Sequence, residues 1–326
     1  MQGTRIVIDR PGGPEVLRQE SYETGRVAAG EVLVRHTAIG LNFIDLHHRS
    51  GRYPLPSYPS PIGLEAAGEV LEVGPDVTDL KTGDRVAYSA MQVGAYSDVR
   101  IVAADRLLRV PDGIETITAA GALNKGLTAH FLCHTTYEVQ KGETIVVHAA
   151  AGGVGSILCQ WAASKGAIVI GTVGRADKAA FAKANGCARV VVLDREDVVD
   201  IARKMTDGRG VPVVYDAVGP ATFDLSLRCL RQRGLLVSFG TASGPLPPFD
   251  VFQLNRLGSL YLTSPGFLDH TTDRAEYVKR GADLFAAIKN GTIKVPVAQT
   301  FPLAAAAEAH TALQSRSTTG ASVLLP

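Results

Sequence analysis

The chain has 326 residues, long enough that two domains are the natural expectation. Its 33 basic and 32 acidic residues leave a net charge of +1, spread evenly, so there is no electrostatic footprint for nucleic acid or an anionic membrane. Four separated cysteines (Cys133, Cys159, Cys187, Cys229) offer no C-x-x-C metal or redox pair, and with Met1–Arg10 lacking a signal-peptide core they point to a reducing cytoplasm.

Residues 1 to about 124 carry short β-like runs, among them Glu31–Ala38, Ala67–Val73 and Arg85–Ser89. Turn signals such as Gly74-Pro75-Asp76 and Thr82-Gly83-Asp84 separate them, which reads as a β-rich region with irregular loops. From about 125 the pattern alternates strand and helix. Strands are expected at Thr144–His148, Ala167–Val173, Arg189–Leu193, Val213–Asp216, Leu235–Phe239 and Ser259–Thr263, and such alternation means a parallel, doubly wound α/β sheet. A charged helix (Thr272–Asn290), strand-like pieces (Ile293–Phe301), a helix (Leu303–Ser315) and a last strand (Ala321–Leu325) close the chain and suggest a return to the first domain. The uncharged window Thr144–Ser164 is long enough to cross a bilayer, but it holds three glycines, His148, Ser156 and Gln160, and reads as a buried strand plus helix.

That window is also the most informative part of the chain. The apolar run E-T-I-V-V-H feeds A-A-A-G-G-V-G, and the turn opens an amphipathic helix with a second strand after it. Ala151, Gly152, Gly153, Val154 and Gly155 form the turn of a dinucleotide-binding βαβ unit, in which glycines let the backbone approach a pyrophosphate at a helix N-terminus. Ala150 replaces the first glycine of the usual pattern. An NAD site usually offers a carboxylate about 20 residues past the glycines. Here the second strand runs into Gly174, Arg175, Ala176, Asp177 and Lys178, so Arg175 and Lys178 suit a 2′-phosphate, and NADPH is expected over NADH; a one-residue shift would bring Asp177 into play instead.

Taken with G-L-N-F-I-D (Gly40–Asp45), R-S-G-x-Y-P (Arg49–Pro54), G-L-E-A-A-G-E-V (Gly63–Val70), K-G-L-T-A (Lys125–Ala129), V-V-Y-D-A-V-G (Val213–Gly219) and S-R-S-T-T-G (Ser315–Gly320), the chain resembles, end to end, the zinc-independent quinone oxidoreductases (zeta-crystallin-like) among the medium-chain dehydrogenases/reductases. The resemblance implies a GroES-like β domain from both chain ends (1–124 and 266–326), a Rossmann domain between them (125–265) and an active cleft at their junction. Zinc-dependent members carry a cysteine where this chain has Asn42 and G-H-E where it has Gly63-Leu64-Glu65. Leucine cannot ligate zinc, so no metal is expected. His130 and His134, four apart with Cys133 between them, read as ordinary helix histidines.

The same resemblance implies the site residues. Asn42, Asp45, His47 and Tyr53 are the expected catalytic segment, with Asn42 also reaching the cofactor, Asp45 as an orienting group, Tyr53 as donor or stacking partner, and His47, where many relatives have tyrosine, as a proton donor or a solvent-facing ring. Thr128, at the start of the helix joining the domains, Phe239, Gly240 and Thr241 are expected at the nicotinamide half. Arg316 is expected to reach the cofactor, and Ser264 stands there where some relatives have arginine. The strand Gly258–Thr263 should be an unpaired sheet edge that pairs with a second copy in a homodimer. The activity implied is NADPH-dependent reduction of a quinone. The alternatives are a zinc-free enone or enoyl reductase, and a non-enzymatic nucleotide- or RNA-binding protein.

Overall fold

Runs of alternating burial, such as Val34-Arg35-His36-Thr37-Ala38, make strands half-covered by a core, while the fully buried run Thr144–Val147 makes a strand covered on both faces. The computed structural model describes residues 1–89 and 92–326. In chain order its strands are β1 (Gln2–Ile8), β2 (Leu17–Glu23), β3 (Glu31–Leu41), β4 (Ser60–Pro61), β5 (Glu65–Val73), β6 (Arg85–Ser89), β7 (Val99–Ala103), β8 (Leu108–Arg109), β9 (Thr144–Val147), β10 (Ile168–Val173), β11 (Arg189–Val192), β12 (Val211–Asp216), β13 (Leu230–Ser238), β14 (Tyr261–Thr263), β15 (Val297–Pro302) and β16 (Ala321–Leu325). The α-helices are α1 (Phe43–Arg49), α2 (Thr116–Phe131), α3 (Gly153–Ser164), α4 (Ala179–Ala184), α5 (Val198–Lys204), α6 (Phe223–Cys229), α7 (Phe252–Arg256), α8 (Arg274–Lys289) and α9 (Ala306–Gln314).

Two units result. The first holds Met1–Lys125, Tyr277–Lys289 and Val295–Pro326. Its larger sheet runs β15-β16-β3-β5-β6-β8, with β7 also on β3, and a smaller one runs β2-β1-β4. The C-terminal strand β16 pairs antiparallel with β3, so both chain ends build one sheet over a core that includes Ile39, Leu41, Ile62, Tyr88, Tyr96 and Leu324. This is the GroES-like β architecture.

The second unit holds Gly126–Glu276 and Asn290–Lys294. Its six strands lie in the order β11-β10-β9-β12-β13-β14, all parallel. Sequence order reverses at β9, and ligands of such Rossmann sheets bind beyond the carboxyl ends of strands at that reversal. The core includes Val146, Ile170, Val214 and Leu236.

Several expectations need correcting. The second unit continues to Glu276 instead of ending at 265 and takes back Asn290–Lys294. The His270 ring stacks on Phe131 with centroids 4.3 Å apart, and Gln160 bonds both the N–H and the carbonyl of Lys294. The edge strand starts at Tyr261 and not at Gly258, because Gly258 and Ser259 both have positive φ, 112° and 56°, and turn the chain before it can extend. Thr128 lies near the end of α2, not at a helix start, because the apolar residues from Thr116 onward extend that helix upstream. The α1 helix was not anticipated. His130 lies in the last turn of α2 and His134 in the π-turn Leu132–Thr136 that continues it; their rings stack at 4.4 Å with Trp161 edge-on to both. All four cysteines are free and buried. Among the described residues no helix is long and apolar enough to cross a membrane.

Candidate active site

In the first unit, β3 and β5 bring Gly40 and Glu65 together as antiparallel register partners. The Glu65 side chain is fully buried and lies across Gly40, where a Cβ would collide with the Glu65 carboxylate and with the Ala120 carbonyl of α2. Only glycine leaves that room. Glu65 Oε1 accepts the Asn124 backbone N–H at 2.5 Å, and Oε2 accepts Asn42 Nδ2 at 2.8 Å. Lys125 Nζ lies 3.4 Å from Oε2 and donates to Asn42 Oδ1 at 2.9 Å. Asn42 and Lys125 are 6% and 5% exposed, so this is an ion pair carried inside the protein, sustained by hydrogen bonds that water would otherwise supply.

Asn42 precedes α1, and Asp45 in its first turn folds back on it. Asp45 Oδ2 accepts the Asn42 N–H at 2.8 Å and the Tyr96 hydroxyl at 3.0 Å. The Tyr96 oxygen is also 3.0 Å from His310 Nε2, and His310 Nδ1 is 3.2 Å from Arg49 Nη1. Arginine can only donate, so Nδ1 accepts and Nε2 carries the ring proton. The chain of donors therefore runs Arg49, His310, Tyr96, Asp45. Burial pushes the His310 pKa down to about 3, which keeps the ring neutral, and pushes Asp45 up to about 7 against the opposing pull of its Asn42 and Tyr96 bonds. Asp45 Oδ1 has no partner among the described residues.

Past α1 the Tyr53 N–H bonds the His47 carbonyl at 3.1 Å. The Tyr53 ring meets His47 edge-on at 5.0 Å and His48 at 6.2 Å between centroids. Tyr53 is 45% exposed, so an aromatic face flanked by imidazoles meets solvent. Burial first, then the Arg52 charge, lowers the His47 pKa, so at neutral pH the ring is a neutral N–H donor and not an imidazolium.

The second unit holds the glycine turn. Ala149 has φ 53°, Gly152 N–H bonds the Ala149 carbonyl at 2.9 Å, and α3 starts at Gly153 with no side chain capping its free N–H groups. Gly155 backs so closely onto the Ala149 carbonyl that a Cβ would collide with it. His148 Nδ1, 2.8 Å from Thr172 Oγ1, and the Ala150 N–H, 3.0 Å from the Thr172 carbonyl, tie the turn to β10. A helix start left uncapped beside a close backbone turn fits a pyrophosphate. At the end of β10, exposed Gly174 has open space where a Cβ would stand. Arg175 and half-buried Lys178 follow, and Arg175 is held by Asp177 through Nε–Oδ1 at 3.1 Å and Nη2–Oδ2 at 2.6 Å. Phe239, Gly240 and Thr241 directly follow β13, and exposed Ser264 follows β14. Exposed Arg316, back in the first unit, follows α9 with φ 56°.

The chain matches the family models described as Alcohol dehydrogenase GroES-like domain, over residues 28–112, and Zinc-binding dehydrogenase, over residues 153–280. It is 48% identical to the quinone oxidoreductase of Pseudomonas aeruginosa over 99% of both chains. The chain belongs to the zinc-independent quinone oxidoreductase family of the medium-chain dehydrogenases/reductases. Within this family, the structure of the Escherichia coli quinone oxidoreductase complexed with NADPH matches with a TM-score of 0.97 at 46% identity, covering 99% of this chain and 100% of that one. The chain is also 42% identical to a 2-haloacrylate reductase of a Burkholderia species over 98% of both chains.

The zinc in the second model's description does not fit the residues here. Leu64 offers no ligand atom, the Asn42 oxygen is taken by the Lys125 ammonium, and among the described residues no three His, Cys, Asp or Glu side chains group as a metal site. Reading the sequence missed the partners that hold Asn42 and Asp45: Glu65, Asn124, Lys125, Tyr96, His310 and Arg49. One signal was available, a lysine inside the apolar helical run A-A-G-A-L-N-K-G-L-T-A, since a charge on such a stretch needs a buried partner.

Proposed function

We propose that the chain is an NADPH-dependent quinone reductase working without metal. The observation that carries the cofactor is the uncapped start of α3 behind the Ala149–Gly155 turn, followed at the end of β10 by Arg175 and Lys178. The family supports the acceptor. Ala151, Gly152, Gly153, Val154 and Gly155 hold the pyrophosphate, and Gly174, Arg175 and Lys178 the 2′-phosphate. Thr128, Phe239, Gly240, Thr241 and Ser264 serve the nicotinamide half, with Asn42 and Arg316 completing the cofactor contacts. When bound, the reduced nicotinamide supplies the hydride that turns a quinone into a hydroquinone once a proton is added. The protein's share is to orient and to donate hydrogen bonds to the oxygen that gains charge. Tyr53 offers a hydroxyl and a flat face to a planar acceptor, neutral His47 an N–H beside it, and Asp45 holds Asn42 in place.

We also propose that the protein forms a cytoplasmic homodimer through β14, with no nucleic-acid or membrane partner. Tyr261 and Leu262 on this terminal strand are 58% and 38% exposed, apolar surface that a second copy would cover.

The test is loss of reduced-nicotinamide absorbance with 1,4-benzoquinone, 9,10-phenanthrenequinone, a simple enone and 2-chloroacrylate, NADPH and NADH in parallel. Quinone-dependent oxidation favouring NADPH is expected. Turnover confined to the enone or haloacrylate would move the chain to alkene reduction, and no turnover with any acceptor would favour a binding role.

A further inference from the structure

Asn42, Glu65 and Lys125 form a closed triangle. The Asn42 carboxamide is gripped at both ends, Nδ2 on the Glu65 carboxylate at 2.8 Å and Oδ1 under the Lys125 ammonium at 2.9 Å. That double hold sets the amide's sense: reversed, its NH2 would face the ammonium and its oxygen the carboxylate. Glu65 alone would be an uncompensated buried anion, and Lys125 brings the matching cation to 3.4 Å. The anion lies against Gly40, where a Cβ would collide with its carboxylate.

We propose that Lys125 is a tethered cation in place of a metal: a positioning residue whose charge neutralises Glu65 and fixes the Asn42 carboxamide in the orientation turnover requires. The inference rests on the quinone-reductase reading for its kinetic arm. Its other arms, melting temperature and zinc content, do not depend on that reading. A fixed ammonium on a helix needs no free metal and cannot be lost to a chelator. It also explains how a family member can keep Glu65 buried while lacking the cysteine and histidine ligands.

The experiment compares the wild type with Lys125→Met, Lys125→Arg and Glu65→Gln/Lys125→Met. Lys125→Met leaves Glu65 unpaired and should lower the melting temperature by roughly 10 °C. The double variant, again charge-balanced, should recover most of that loss. Turnover in the double variant should nevertheless stay at least about tenfold down in kcat, with NADPH affinity by fluorescence titration within about twofold of wild type. Lys125→Arg, which keeps the charge, should recover part of the turnover. Wild type dialysed against zinc and then buffer should retain no stoichiometric metal. Near-wild-type kcat in the double variant would reduce Lys125 to charge compensation and overturn the proposal. So would a folded Lys125→Arg as inactive as Lys125→Met, or one zinc per chain retained by wild type. Should wild type itself reduce no quinone with NADPH, the functional reading fails, while an unshifted melting temperature in Lys125→Met would independently sink the tethered-cation idea.

Discussion

Arg175 grips Asp177 with two parallel hydrogen bonds, and the carboxylate that could have read a ribose diol is spent on its neighbour. The pairing also lowers the Asp177 pKa, so the carboxylate stays charged. A 2′-phosphate must compete with Asp177 for the same guanidinium. Asp177→Asn should therefore tighten NADPH binding by about two- to fivefold, the scale of one exposed ion pair, and leave NADH unchanged. Fluorescence titrations at low and high salt check this; equal gains for both cofactors would contradict it.

Lys178, three residues beyond Arg175 and half-buried, brings the second positive charge to the proposed phosphate site. Lys178→Ala should weaken NADPH by about tenfold, the worth of one charge-assisted hydrogen bond, and barely touch NADH. Losses of the same size for both would remove the 2′-phosphate from its role.

Tyr53 is proposed to meet the acceptor, and Asn42 to orient the cofactor for transfer to it. Asn42→Ala or Tyr53→Phe should reduce kcat by about tenfold or more while NADPH affinity changes little. The active-site placement fails if neither variant alters turnover with any acceptor.

His310 sets a pH limit on stability. Its folded pKa, about 3, lies below the ordinary 6.5, so the unfolded chain takes up a proton that the folded chain refuses. The stability it contributes is complete above pH 6.5 and is lost as the pH falls toward 3, a few kcal/mol across the span. Buried His36, lowered to about 4, acts in the same direction. His310→Gln should be less stable at pH 7, having lost its bonds to Tyr96 and Arg49, yet fall less steeply between pH 7 and 4.5. Urea midpoints across that range decide, and parallel slopes would count against His310.

The sheet edge gives the last prediction. Leu262→Asp should shift the proposed dimer to monomer in size-exclusion chromatography with light scattering, with the melting temperature changing little at high protein dilution. An unchanged mass would move the interface elsewhere.

What could be read from the sequence was local. The glycine turn between β9 and α3, the alternation of strand and helix, and the cationic run after β10 each lie within a few residues, where periodicity and turn chemistry operate. The exact start of β14 escaped because positive φ at Ser259 is a tertiary choice that a non-glycine residue does not advertise. The α1 helix escaped because its seven residues carry too little periodicity; Asp45, folding back on the Asn42 N–H, helps define it. The wiring of the site was illegible for a different reason. Lys125 meets Asn42 and Glu65, and His310 meets Tyr96 and Arg49, across long stretches of chain, and no spacing rule connects them.

Quinones are electrophiles that alkylate thiolates, and a catalyst that handles them risks modifying itself. The burial of all four cysteines takes on meaning in that light. Burial pushes Cys133 and Cys229 up to about 12, and Cys159 is raised as well. Only Cys187, hydrogen-bonded by Cys159, is drawn toward the thiolate, and it is 3% exposed. The nucleophiles that its own substrates would seek are kept protonated, covered, or both.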